Sequence, residues 1–114
     1  MNETIKGQLN TYCQFVKCGK PTAMMALQDR YTDNAIDIVK GKYDLSIHIE
    51  YLSEGWITLW IYKYDYMLEV IKKLPEKPKT IYDHWVLGKV FGYSDESIKE
   101  FLGTNFYNTQ YAHI

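Results

Sequence analysis

"YDLSIHIEYLSEGWITLWIYKY", residues 43 to 64, decides the fold. In its first half Leu45, Ile47, Ile49 and Tyr51 alternate with Asp44, Ser46, His48 and Glu50, a period of two that marks a strand with one wet face. "SEG", Ser53 to Gly55, is turn chemistry, and "WITLWIYKY" resumes with β-branched and aromatic residues, so the stretch predicts a β-hairpin over 44–64. The second run is apolar on both faces, with Ile57, Leu59 and Ile61 on one and Trp56, Trp60, Tyr62 and Tyr64 on or near the other. A strand without a polar face is covered on both sides or offers its aromatics to a partner.

On the N-terminal side of the hairpin the period changes to that of a helix. Ile5, Leu9, Tyr12, Phe15 and Val16 recur at spacings of three and four from Asn2 to Lys17. Gly19 and Pro21 then read as a stop and a restart, and a second helix is expected through "TAMMALQDRYTDNAIDIVKG", with Met24, Leu27, Tyr31, Ala35, Ile38 and Val39 as its buried stripe and Gly41 as its end. On the C-terminal side Tyr66, Met67, Val70, Ile71 and Leu74 return to helical spacing, and "PEKPK" closes that helix in a short charged linker. Thr80 caps a final helical pair, after which "GTNFYNTQYAHI" is expected to be an ordered tail docking through Phe106, Tyr107 and Tyr111. The expectation is a single α+β domain over 1–114: a helical part over 1–41, the hairpin over 44–64, a helical part over 65–102 ending in a helix-turn-helix-like pair, and the tail over 103–114.

The final pair, "HWVLGKVFGYSDESIKEFL", residues 84 to 102, has the outline of a DNA-reading motif. Gly92 sits in the turn, Gly88 lies four residues before it where two helices approach closely, Ile98 is the core residue six after it, and Ser94 is a good N-cap. The chemistry disagrees with the outline. The second helix presents Asp95, Glu96 and Glu100 where phosphates would lie, and Lys89 and Lys99 do not reverse that balance. Acidic residues in a first turn favour the positive end of the helix dipole, so the pair is read as a folding device with an acidic surface open to a protein partner, and duplex DNA is not an expected ligand.

Composition sets the remaining limits. A chain of 114 residues that is 46% hydrophobic, 24% charged and 16% aromatic builds its own core, burying roughly 65% of its unfolded surface without disulfide or metal. Cys13 and Cys18 are expected to be thiols of a reducing cytoplasm, and their spacing fits no zinc motif. No run approaches the roughly 18 apolar residues of a membrane span, and the N-terminus lacks the basic start of a signal peptide. A net charge of -1 offers no general attraction to nucleic acid. No nucleophile elbow, phosphate loop or metal-binding histidine pair is present, and Asp83 and His84, as neighbours on a helix, point in different directions. No catalytic residue, cofactor or metal is therefore assigned.

What remains is binding. Trp56, Trp60, Tyr62 and Tyr64 are the candidate contact residues, because Trp and Tyr dominate binding hot spots, and Asp95, Glu96 and Glu100 form a second candidate surface. All 13 basic residues are lysine except Arg30, which together with abundant Tyr, Ile and Asn indicates an AT-rich gene. The runs "LSEGWITLWIYKY" and "DHWVLGKVFGYSDESIKEFL" resemble small uncharacterised proteins of AT-rich Gram-positive bacteria and their phages or mobile elements. That resemblance implies origin more than activity; because small phage proteins without an enzyme's equipment often inhibit a host machine, as anti-CRISPR and other anti-defence proteins do, the expectation is a phage or mobile-element protein that binds and modulates a host protein in the bacterial cytoplasm. The alternatives are a small-molecule-binding, sponge-like protein whose hairpin and following helix enclose an aromatic-lined pocket, and a helix-turn-helix transcriptional regulator. A host protein is the expected partner, with a small molecule and a second copy of the chain as the others, and no membrane.

Overall fold

The structure is a computed structural model that describes residues 1–75 and 77–104. Helix α1 spans Glu3–Lys17, strand β1 Thr22–Gln28, a 3-10 turn Asp29–Tyr31, helix α2 Thr32–Ile36, and a π-helical stretch Asp37–Lys42. Strands β2, Ser46–Ser53, and β3, Trp56–Tyr62, form the hairpin, followed by α3, Met67–Lys72, α4, Ile81–Val90, and α5, Asp95–Leu102. Among the described residues the architecture is α+β: five α-helices around a three-stranded antiparallel sheet in the order β1-β3-β2. The expected tail residues Phe106, Tyr107 and Tyr111 lie outside the described residues.

The helix expected from Thr22 to Gly41 is corrected in its first third, which is β1. "TAMMALQ" holds good helix formers, and propensity alone favours a helix there. Pairing with β3 along the whole strand, from Thr22 opposite Tyr62 to Gln28 opposite Trp56, overrides it. The burial follows a period of two, with Ala23, Met25 and Leu27 buried and Met24 and Ala26 exposed, so Met24 is not the core residue that helical spacing makes it.

β3 is the central strand, which explains why it has no polar face. Its back face, Ile57, Leu59 and Ile61, packs with Ala23, Met25 and Leu27 against Leu9, Cys13 and Val16 of α1 and against Ala35 and Val39 of the helical segment after β1. Its front face sends Trp60 and Tyr62 into a second cluster with Met67 and Ile71 of α3 and Val90 of α4. Thr22, the buried polar residue of β1, donates its hydroxyl to the Val90 carbonyl at 2.9 Å, tying the sheet to the end of α4.

The helical pair is built as its spacing requires. Thr80 and Asp83 form a reciprocal capping box at the start of α4, and the Ser94 hydroxyl accepts from the Ser97 amide at the start of α5. Gly92 turns the chain at φ 78°, a left-handed conformation that a side chain strains. Gly88 faces Ile98 so closely that a Cβ on it would sit 2.6 Å from that side chain. α4, tied to the sheet through Val90 and braced by α5, forms one side of the site described next.

Candidate functional site

The C-terminal helices cover only part of the front face. Between them and the sheet lies an open crevice of about 710 Å³. Met24 of β1, Glu50 of β2 and Thr58 and Trp60 of β3 form its floor; Leu87 and Phe91 stand on one side, and Ile71, Lys72, Leu74 and the linker residues Lys77 and Pro78 on the other. Strand alternation and register produce the floor, since Met24 and His48 flank Trp60 and Glu50 lies opposite Thr58 on one face.

Trp60 organises this space. Its indole N–H donates to Glu50 Oε1 at 2.6 Å, and its ring stacks on Phe91 with centroids 5.8 Å apart and planes within 7°. The second Glu50 oxygen is 3.8 Å from His48 Nε2, and Glu50 itself is exposed. The site therefore offers an aromatic and aliphatic floor, one oriented carboxylate, the Thr58 hydroxyl, and the ammonium groups of Lys72 and Lys77 at the edge. Such a set holds an apolar group and orients its polar substituents. Among the described residues, no group of three or more His, Cys, Asp or Glu is placed to hold a metal ion.

The crevice continues to the hairpin tip. Tyr51 and Leu52 line its mouth, and a register shift between Tyr51 and Ser53 bends β2 there. Tyr51 is 81% exposed, Leu52 is exposed, and Trp56, two residues before Thr58 on the same strand face, is 41% exposed. The four aromatics singled out by sequence thus divide. Trp60 and Tyr62 are each 6% exposed and belong to the core; Trp56 lies at the open tip, and Tyr64 lies beyond the other end of β3, stacked on Tyr66 at 5.7 Å. Burial, with Asp65 adding to it, raises the Tyr62 phenol above its ordinary value.

Asp95, Glu96 and Glu100 are all exposed on α5. Asp95 is paired with Lys89, whose hydrogen bond and charge hold its carboxyl below the ordinary range. Met24, Glu50, Thr58, Lys72, Leu87 and Phe91 were not singled out by sequence. Thr58, the one aliphatic hydroxyl residue within β3 and two positions from Trp60, is the signal that points to a polar spot on that face; Met24 carries no signal once its segment reads as helix. Compared with protein-family models, curated proteins and solved structures, the chain matches none.

Proposed function

We propose that the chain is a non-catalytic binding protein of a phage or mobile element that acts stoichiometrically on a host protein in the bacterial cytoplasm, docking through the open half of its front face. The observation that supports this most is proximity: the exposed Tyr51 and Leu52 line the mouth of the crevice floored by Trp60, and the exposed Trp56 lies on the same face of β3 as Thr58 and Trp60. Exposed apolar side chains scattered singly are ordinary, whereas several gathered at one end of a strand pair beside a concave floor suit a docking surface, with a wide aromatic as anchor. The partner chemistry it suits is an apolar or aromatic side chain that enters the crevice, flanked by a carboxylate that meets Lys72 or Lys77. An anti-defence target, such as a CRISPR effector, accords with the resemblance to small phage proteins. The test is capture from a Gram-positive lysate by the wild-type chain and by Trp56→Ala at equal thermal stability. One host protein retained by the first and lost by the second supports the proposal, and equal retention refutes it.

A second reading is favoured by the crevice itself. Its size falls within the roughly 300–1,000 Å³ of small-molecule sites, and it lies between the hairpin and the following helix, so a sponge for a planar, anionic metabolite is the alternative. Native mass spectrometry of protein purified from a bacterial host separates the two. A co-purifying small molecule that is lost with Lys72→Glu favours the sponge.

A further inference from the structure

The sheet has two edges, and they are not alike. β2 carries the bend near its tip, and its Glu50 brings charge, beside the polar His48, to that edge. β1, "TAMMALQ", carries no charged residue, no proline and no irregularity in its pairing with β3. Among the described residues, no backbone hydrogen bond joins β1 to anything except β3. The outward-facing amides and carbonyls of a seven-residue strand thus have no backbone partner among the described residues, and natural sheets normally blunt such an edge with lysine, proline or a bulge. Apolar side chains flank this edge: Met24 is 42% exposed, and Phe15 of α1 and Tyr93 of the α4–α5 turn border the same shallow depression, with the Lys20 ammonium 5.3 Å from each of their ring centres.

We propose that the β1 edge pairs with the β1 edge of a second copy of this chain, antiparallel about a two-fold axis through Met25, joining two three-stranded sheets into one of six strands. Open backbone groups specify a strand as the occupant. The sequence of β1 specifies its own copy, because a two-fold centred on Met25 aligns all seven residues and sets large against small on both faces: Met24 opposite Ala26, and Leu27 opposite Ala23. No charge opposes its like within the seven pairs. The same operation on β2 would bring Glu50 and the bend to the joint.

Sedimentation of the full chain over a concentration series tests the pairing. The wild type shifts from monomer to dimer as concentration rises, whereas Ala26→Lys, which changes an exposed side chain on the joining strand, keeps the melting temperature of the dilute, monomeric wild type and stays monomeric. Should Ala26→Lys fail to fold, Met24→Lys at the neighbouring exposed position gives the same readout. The register is read independently in a Cys18→Ser chain carrying Met24→Cys and Ala26→Cys. Facing positions of an antiparallel pair lie within disulfide reach, so mild oxidation yields a covalent dimer from folded protein and not from protein unfolded beforehand. A wild type that is monomeric at every concentration, a dimer that Ala26→Lys leaves intact, or a double-cysteine chain that never cross-links while folded overturns the proposal. Trp56→Ala leaves the dimer unchanged, which separates this joint from the docking surface on the front face.

Discussion

Adding one methyl group at Gly88 tests how the C-terminal half is held over the sheet. A Cβ built there lies 2.6 Å from both Cγ1 and Cδ1 of Ile98, about 1 Å short of the 3.5–4.0 Å at which carbon atoms attract rather than repel. Ile98 is buried, so it cannot swing into solvent to make room. Overpacking of this kind costs about 1–3 kcal/mol, while replacing a mid-helix glycine by alanine returns about 1 kcal/mol of helix propensity. Gly88→Ala is therefore close to neutral or mildly destabilising, and Gly88→Leu, with a larger group in the same gap, loses about 1–3 kcal/mol, or roughly 4–12 °C in melting temperature. The decisive assay is a cycle with Ile98→Ala, measured by urea unfolding. Removing the Ile98 side chain costs about 2–5 kcal/mol on its own, and in that background Gly88→Ala should stabilise by about 1 kcal/mol because the obstruction is gone. Additive effects, with Gly88→Ala acting identically in both backgrounds, would refute close contact of α4 and α5 at this point.

Three further outcomes follow from other parts of the molecule. Cys13 is fully buried and its thiol is pushed up to about 11 by burial, whereas Cys18 is exposed, so a thiol reagent at neutral pH should label Cys18 at once and Cys13 only on unfolding, as peptide mapping would report. Asp83 accepts the Lys79 amide at 3.1 Å, the chief reason its carboxyl sits below the ordinary range, and it closes the capping box with Thr80. Its contribution is complete above the unfolded carboxylate value of about 3.9 and is lost as pH falls through the lower folded value. The gap in urea midpoint between the wild type and Asp83→Asn should accordingly shrink as pH is lowered from 7 towards 3, and a constant gap would contradict it. Because α5 exposes Asp95, Glu96 and Glu100 and occupies Lys89 with Asp95, a low-salt gel shift with mixed duplex DNA should show no complex; salt-sensitive binding lost with Lys89→Glu and Lys99→Glu would reverse that expectation.

Much of the fold could be read from local pattern because local chemistry decides it. The β2–β3 hairpin follows from alternation around a Ser-Glu-Gly turn, and the α4–α5 pair from Thr80, Ser94 and Gly92, which act within a few residues, and from Gly88 and Ile98, ten residues apart within one short window. β1 was not legible because its strand character comes from β3, some 30 residues onward, while its own Ala, Met, Leu and Gln favour a helix. The same non-local pairing hid the crevice. Its floor joins Met24, Glu50 and Trp60 from three strands, and its sides come from helices whose placement no short window encodes. Trp60 and Tyr62 were singled out as contact residues because a central strand and a binding strand carry the same aromatic signature. Only the packing of α3 and α4 separates the covered Trp60 and Tyr62 from the open Trp56.

The account turns on the front face being a docking surface, and the most direct measurement compares two tryptophans on that one strand against the partner captured from a Gram-positive lysate. Trp56→Ala should keep the melting temperature within about 2 °C of the wild type and weaken partner binding by 2 kcal/mol or more, about 30-fold, as loss of an exposed aromatic anchor does. Trp60→Ala, which removes the Glu50 hydrogen bond and the Phe91 stack, should instead destabilise the fold by about 3–5 kcal/mol. If Trp56→Ala binds the partner as tightly as the wild type, or loses binding only in step with its stability, the docking surface lies elsewhere and the central claim is wrong.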